Sequence, residues 1–327
     1  MIDRRNATRI IFAATVAPPI AARAQQAGAI LPVIGFLNSQ SPAGWEHFIA
    51  AFQQGLKDAG FEVGRNVAID YRWAEGRVAA LPGLAAVLVE RKVAVIVATG
   101  GPDPVKAATA TIPIVFTTGA DPVALGLVES LARPGGNVTG FTLFTRHLAP
   151  KRLEILRAIV PEATSITMIV NPANSGSQGQ VGELTETATQ LGRRLISVEA
   201  RNLAEIGAAL DTVVAAGGRA VFFGSDAYFF AHRIQIVDMA AQRGVPAIYE
   251  GREFCDAGGL VSYGVSFADI YRSAGGYAAR ILRGGSPAEM PVQQPTRFEL
   301  VINMKAAKAL GLKIPLAVLL MATRLIE

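Results

Sequence analysis

The sequence predicts an α/β protein of two lobes, each built on a parallel sheet, and three observations predict it. From Pro32 onward, short continuous β-branched and apolar runs alternate with segments of helical spacing. The alternation runs once to about residue 142 and restarts near 145. After the second run is complete, two more strand–helix pairs follow, so the chain must cross back between the lobes. Continuous apolar strands separated by helices belong to a parallel sheet covered on both faces.

In order, residues 33–37 form a buried strand that ends in the polar loop Asn38, Ser39, Gln40, Ser41. Phe48, Ala51, Phe52, Leu56 and Ala59 then recur at helical spacing until Gly60 stops the helix. Residues 67–73 alternate as a strand, 81–90 are helical, and 93–98 are a continuous strand running into Thr99, Gly100, Gly101 and Pro102. Asp103 caps a short helix. The strand 114–116 ends in Thr117, Thr118, Gly119, Ala120 and Asp121, and 138–142 form one more strand after a Pro134–Gly135–Gly136–Asn137 turn.

The second run has a helix at 150–159 and a strand at 165–170 that ends in Asn171, Pro172, Ala173 and Asn174. A helix to Gly192, a strand at 195–198 and a helix at 203–216 follow. The strand 220–223 ends in Gly224, Ser225 and Asp226. A helix covers 234–243, and the strand 246–249 ends in Glu250, Gly251 and Arg252. The remainder reads as strand 260–264, amphipathic helix 271–282, strand 297–303 and helix 305–310. These elements place three crossings near 142–147, 264–267 and 290–296. The first lobe is then 30–142 plus 265–290, the second 147–263 plus 296–312, and 313–327 a terminal helix on the body. That tail is apolar but too short for a bilayer, and it contains Pro315 and Arg324.

The first 24 residues read as an export address. Arg4, Arg5 and Arg9 precede an apolar stretch to Ile20, and Ala22–Arg23–Ala24 supplies a small-x-small cleavage pattern, with cleavage expected after Ala24. The Arg4–Arg5 pair fits the twin-arginine motif poorly, so the general route is expected. No Cys follows the cleavage site to carry a lipid. The segment holds four Arg and one Asp, three of the chain's net charge of +5, so only about +2 remains after cleavage. The remainder has no Lys/Arg run suited to nucleic acid.

The single Cys255 excludes an internal disulfide and reads as a small buried apolar residue. His47, His147 and His232 lie in no metal-ligand spacing, and no metal or other cofactor is expected.

Several segments resemble one family. They are Val33–Ile34–Gly35–Phe36–Leu37, Asp121–Pro122–Val123, Arg133 through Gly140 (RPGGNVTG), Gly258 through Gly264 (GGLVSYG) and Phe298 through Asn303 (FELVIN). With Ala306, Lys308, Ala309, Leu310, Gly311 and Leu312, they resemble, in order over about residues 31–312, the ABC-transporter substrate-binding proteins of tryptophan/tyrosine type. The resemblance implies a type I periplasmic-binding architecture: two Rossmann-like lobes and three crossovers. It also implies a periplasmic monomer that captures a small molecule such as an aromatic amino acid and presents it to a permease at the inner membrane. The apolar segment 316–323 departs from the family's more polar C-terminal helix.

Ligands of such sheets bind at the carboxyl ends of the strands, which selects the candidate residues. From the first lobe these are Ser39, Gln40, Thr99, Gly100, Gly101, Thr117, Thr118 and Gly119. Their hydroxyls and approachable backbone N–H groups suit ligand oxygens, and helix N-termini nearby favour a carboxylate. From the second lobe they are Asn171, Asn174, Ser225, Asp226 and Glu250, whose acids suit a ligand ammonium. Asp226 reads equally as a helix N-cap. Asp121 reads first as a turn residue, and Tyr228 and Tyr263 first as core. The absence of G-x-S-x-G, H-E-x-x-H, Walker A and G-x-G-x-x-G motifs argues against an enzyme. A Glu250–Asp226 acid/base pair is not required by any spacing. A periplasmic sensor on the same fold is the main alternative, and the export-like N-terminus argues against a repressor. Aromatic or branched amino acids and other small carboxylates remain open as ligands.

Overall fold

The computed structural model describes residues 31–143, 148–174 and 176–327. The export segment with its cleavage point after Ala24, His147 and most of the first crossing lie outside the described residues.

The first lobe opens with β1 (Val33–Asn38), α1 (Glu46–Asp58), β2 (Ala68–Trp73), α2 (Leu81–Glu90), β3 (Val95–Thr99), α3 (Asp103–Ala108), β4 (Ile114–Thr118) and β5 (Val138–Thr142). Its sheet is parallel throughout, in the order β2-β1-β3-β4-β5. Strands β3, β4 and β5 are buried along their whole lengths, as strands of a parallel sheet covered on both faces are.

The second lobe continues with α4 (Ala149–Ile159), β6 (Ser165–Val170), α5 (Ser177–Gln190), β7 (Arg194–Glu199), α6 (Leu203–Ala215), β8 (Val221–Phe223) and α7 (Ala227–Ala231). Next come α8 (Arg233–Gln242), β9 (Ala247–Tyr249), α9 (Arg252–Asp256) and β10 (Val261–Val265). The chain leaves this lobe in α10 (Phe267–Leu282) and re-enters through β11 (Phe298–Asn303), α11 (Met304–Ala309), α12 (Leu316–Met321) and β12 (Arg324–Ile326). The sheet order is β12-β11-β10-β9-β8-β6-β7.

Two features differ from the sequence expectation. Strands β10 and β11 pair antiparallel, Ser262 opposite Val301. The cause is topological: β10 runs toward the crossover into the first lobe, and β11 starts from the crossover that returns. The tail is also not one helix. Six residues of α12 follow Pro315, and Thr323 then donates its N–H to Leu300 O at 2.8 Å, so Arg324–Ile326 add to β11 as a parallel edge strand. An ion pair from Arg324 to Asp256 at 3.1 Å holds the strand to α9.

Helix α10 is reached from the second lobe but packs on α1. The fit depends on two glycines: a Cβ on Gly55 would strike the carbonyl oxygen of Arg272, and one on Gly275 would strike that of Phe52. Backbones this close leave room for no side chain at the contact. Arg272 pairs with Asp58 at 2.7 Å, and the Trp45 indole N–H donates to the Tyr271 hydroxyl at 2.9 Å. The returning crossover runs beside β5, with Thr142 N–H donating to Gln293 O at 3.0 Å and Gln293 N–H to Gly140 O at 2.9 Å.

An aromatic seam joins the lobes. The Phe230 ring lies 5.6 Å from Trp45, 5.7 Å from Phe48 and 4.9 Å from Phe267. The two edge-to-face pairs, with Trp45 and Phe267, contribute about 0.5–1.5 kcal/mol each beyond area burial. One apolar core therefore runs from Phe36 in β1 to Phe254 in α9, and Pro32–Glu327 form a single unit.

Candidate functional site

Three strand ends of the first sheet stand in one row. Asn38 is in register with Thr99, and Thr99 with Thr117. The Asn38 amide donates to the Thr99 hydroxyl at 2.7 Å and accepts from Gln40 N–H at 2.7 Å. Ser39 N–H donates to Thr99 O at 3.3 Å, and the Gln40 amide donates to the Ser39 hydroxyl at 3.3 Å. Gly100, at φ +76°, presses its backbone against Ser39 where a Cβ would not fit. Ser39, Gln40, Thr99, Thr117 and Thr118 are all buried. The Tyr271 hydroxyl from α10 adds hydrogen bonds to Thr99, Asn38 and Trp45, while burial pushes its pKa up.

The neighbouring nominees play different parts. The Thr118 hydroxyl accepts from Ala120 N–H at 3.1 Å and forms the turn that holds half-buried Gly119. Gly101 backs onto Leu81, where a Cβ would sit 2.8 Å from its methyl group, so its smallness serves packing. Asp121 accepts from Val123 and Ala124 N–H in an exposed turn.

The second sheet presents a denser cluster. Asp226 accepts from the amides of Asn171 and Asn174, each at 3.2 Å, and caps α7 by accepting from Phe229 N–H at 3.1 Å. It is therefore both an N-cap and part of the cluster. The Asn174 amide also donates to Ser225 O at 3.0 Å. Glu250, at the end of β9, is buried beside this group. Desolvation pushes its pKa up to about 7 even though the Arg152 charge, the Ser225 hydroxyl and the Asp226 N–H favour the ionised form. Desolvation also raises the pKa of Asp226, against the four hydrogen bonds it accepts.

Three site residues escaped the sequence reading. Arg152 is 1% exposed, donates to the Ser225 hydroxyl at 3.0 Å and lies 5.1 Å over the Phe222 ring. Burial pushes its pKa down to about 10, opposed by Glu250. A signal was present: Arg152 falls in line with Ala149, Leu153, Leu156 and Ile159 on the buried face of α4, where a cation needs a buried partner. Gln180 braces the β8 loop by donating to Ser225 O at 3.0 Å and accepting from its N–H at 2.8 Å. Asn38 ties the first-lobe loops, as described. Tyr228 stacks on His232 at 3.9 Å, and Tyr263 lies 6.3 Å from Phe298, so neither is part of the polar clusters.

The loops that follow β1 and β8 continue to contacts between the lobes. Arg233 donates to Gly44 O at 3.2 Å, and Trp45 meets Phe230 in the seam. One edge is uncharged and carries hydroxyls and amides. The other carries two buried carboxylates and a buried guanidinium.

Two α/β lobes joined by repeated crossings, with buried polar strand ends in both, define a two-lobed binding protein of type I periplasmic-binding architecture, and solved proteins of that fold superpose on this chain. More particularly, the chain belongs to the ABC transporter substrate-binding protein family, whose model matches residues 37–326. It is 29% identical over 265 residues to the tyrosine-binding protein of Clostridioides difficile (strain R20291), covering 80% of this chain and 76% of that one. A conserved domain protein from Vibrio cholerae superposes with a TM-score of 0.82 at 28% identity, over 90% of this chain and 100% of that one. The ABC domain of Streptococcus pneumonia in complex with L-Trp superposes with a TM-score of 0.80 at 25% identity, over 91% and 100%. The resemblance drawn from the sequence motifs is thereby borne out.

Proposed function

We propose that this chain captures an amino acid, or a similarly small carboxylate-bearing solute, between its lobes and hands it to the permease of an ABC importer. Capture takes place outside the cytoplasmic membrane, with the protein acting as a monomer. Family membership supports the binding role, and the tyrosine-binding and tryptophan-bound relatives place aromatic amino acids first among the solutes to test.

The observation that carries the reading is the complementary chemistry of the two strand-end clusters. Glu250 and Asp226 offer carboxylates to a ligand ammonium, and each charge-assisted hydrogen bond contributes about 1.5–3 kcal/mol. Thr99, Thr117, Thr118 and Ser39 offer hydroxyls and nearby N–H groups to a ligand carboxylate. Arg152 and Gln180 set the position of the Ser225 loop beside Glu250. A ligand that touches both lobes favours closure by as much as its contacts differ between the open and closed forms.

The test is a thermal-shift screen of aromatic, branched and other amino acids and small carboxylates, followed by calorimetry. A ligand at 100 times its Kd adds about 2.7 kcal/mol of stability. Glu250→Ala and Thr118→Ala should each weaken the best hit at least tenfold. Unchanged affinity in both variants would remove the site assignment, and a screen without a single hit would remove the class of solute.

A further inference from the structure

We propose that the chain carries a second small-molecule site at its crossovers, one that takes a zwitterion of amino-acid size and biases how far the lobes open. A cavity of about 270 Å³ lies there. Ligand pockets for drug-sized molecules run from about 300 to 1,000 Å³, so this one matches a compact metabolite. None of the thirteen strand-end residues nominated for the main site lines it.

Its walls come from the end of β5 and from the two later crossings. Thr142 ends β5 where the chain first leaves the first lobe. Ser266 caps α10 where the chain returns to that lobe, and Gln293 to Arg297 form the last crossing into β11. Ser266, Asp269, Ile270, Ser273 and Tyr277 share one stripe of α10, at spacings of three, four, seven and eleven residues from Ser266. Phe141, Ile270 and Tyr277 give the cavity an apolar side.

Among the described residues, one polar group in it is buried without a partner, and two exposed charged groups on its lining stand outside any ion pair. The Thr142 hydroxyl is buried, in a residue only 6% exposed, and has no hydrogen-bond partner. A buried hydroxyl without a partner is destabilising, and a ligand atom would satisfy it. Among the described residues, neither the Asp269 carboxylate nor the Arg297 guanidinium enters an ion pair, although both line the cavity. One acid and one base over an apolar side are the complement of a zwitterion with a short hydrocarbon body.

Hinge residues absorb the backbone rotation when such lobes open. A cavity walled by the end of β5 and the two later crossings changes shape with that rotation, so its occupant binds the two forms unequally and shifts their populations.

The experiment uses amide NMR of the whole chain, titrated with glycine, L-proline, 4-aminobutyrate and glycine betaine to about 10 mM. At least one of these should shift the resonances of Thr142, Ser273 and Arg297. Its affinity should fall at least tenfold in the Asp269→Asn/Arg297→Gln double variant and also fall in Thr142→Val, while surviving in Glu250→Gln. Because Asp269 and Arg297 are exposed, the double variant should fold, with an unchanged melting curve as the check. The site is overturned if no probe shifts those resonances, if the shifts persist in the double variant, or if Glu250→Gln abolishes them. The opening role is overturned if a bound probe leaves the radius of gyration in solution scattering and the affinity of the cleft ligand unchanged.

Discussion

Replacing Glu250 by Gln should stabilise the protein at alkaline pH while weakening ligand capture. Glu250 is buried, and its pKa rises from the ordinary 4.5 to about 7 because desolvation outweighs the help of Arg152 and Ser225. A carboxyl raised on folding binds its proton more tightly in the native state. Its contribution to stability is therefore complete below pH 4.5 and is lost as pH rises through 7. The rise to about 7 corresponds to about 3 kcal/mol. Glutamine mimics the protonated acid at every pH, so variant and wild type should be nearly equal near pH 4.5 and differ by about 3 kcal/mol near pH 8. Glu253, also raised to about 7 by burial, titrates in both proteins and cancels in the difference.

Urea denaturation of both proteins across this range measures that difference directly. Ligand affinity should move the other way. Loss of one charge-assisted hydrogen bond of about 1.5–3 kcal/mol weakens an ammonium ligand about 10- to 150-fold. In the wild type, affinity should fall about tenfold per pH unit below 7, as protons compete for the carboxylate. A stability difference independent of pH would refute the burial argument. An affinity insensitive to both pH and substitution would show that Glu250 does not touch the ligand.

Gly55→Ala should cost about 3 kcal/mol, because the added methyl drives α1 off the α10 backbone at Arg272. Gly83→Ala, in α2 with nothing within 4 Å of the new Cβ, should instead gain about 0.5–1 kcal/mol; equal effects in thermal melts would contradict the close-approach reading. Cys255 is buried, donates to Val301 O at 3.5 Å and has a thiol pushed up to about 12. A thiol reagent near pH 8 should leave the native protein untouched and label it fully on unfolding. Rapid labelling of the native protein would show that this corner opens.

Most of the strand positions were legible because β3, β4, β6 and β8 are largely buried, and the sequence records this as mainly apolar, β-branched runs. The pairing of β10 with β11 was not legible. Its direction depends on which end of the lobe the returning chain enters, and no local pattern encodes that. The tail failed for another reason: an apolar run of thirteen residues fits a helix or a short helix plus strand equally well. The polar strand ends were readable as site candidates because ligands of parallel sheets bind at the carboxyl ends of the strands, although Thr118 and Asp226 also serve as turn and cap. Arg152 was missed because it lies in the middle of a helix, and its partners at Ser225 and Glu250 are distant in sequence.

The contact between α1 and α10 matters for the proposed closure because it would set where the lobes pivot. With Gly55 and Gly275 packing these helices backbone to backbone, α10 sits on the first sheet's side, and the proposed rotation would fall at Ser266 and Gln293–Arg297. The aromatic seam at Trp45, Phe48, Phe230 and Phe267 lies next to the second crossing, so in the proposed closure it would sit close to the pivot. Contacts near an axis change little on rotation, so the seam holds the lobes together without choosing between open and closed. That choice falls to groups farther from the axis, whose separation changes most with the angle. A ligand spanning the two strand-end clusters therefore has the leverage for closure that the seam lacks. Phe230→Ala should accordingly lower stability by about 3–5 kcal/mol with little change in ligand affinity once the protein is folded. If calorimetry on the folded variant shows a loss of affinity as large as that from Glu250→Gln, the seam is part of the closing surface and not its pivot.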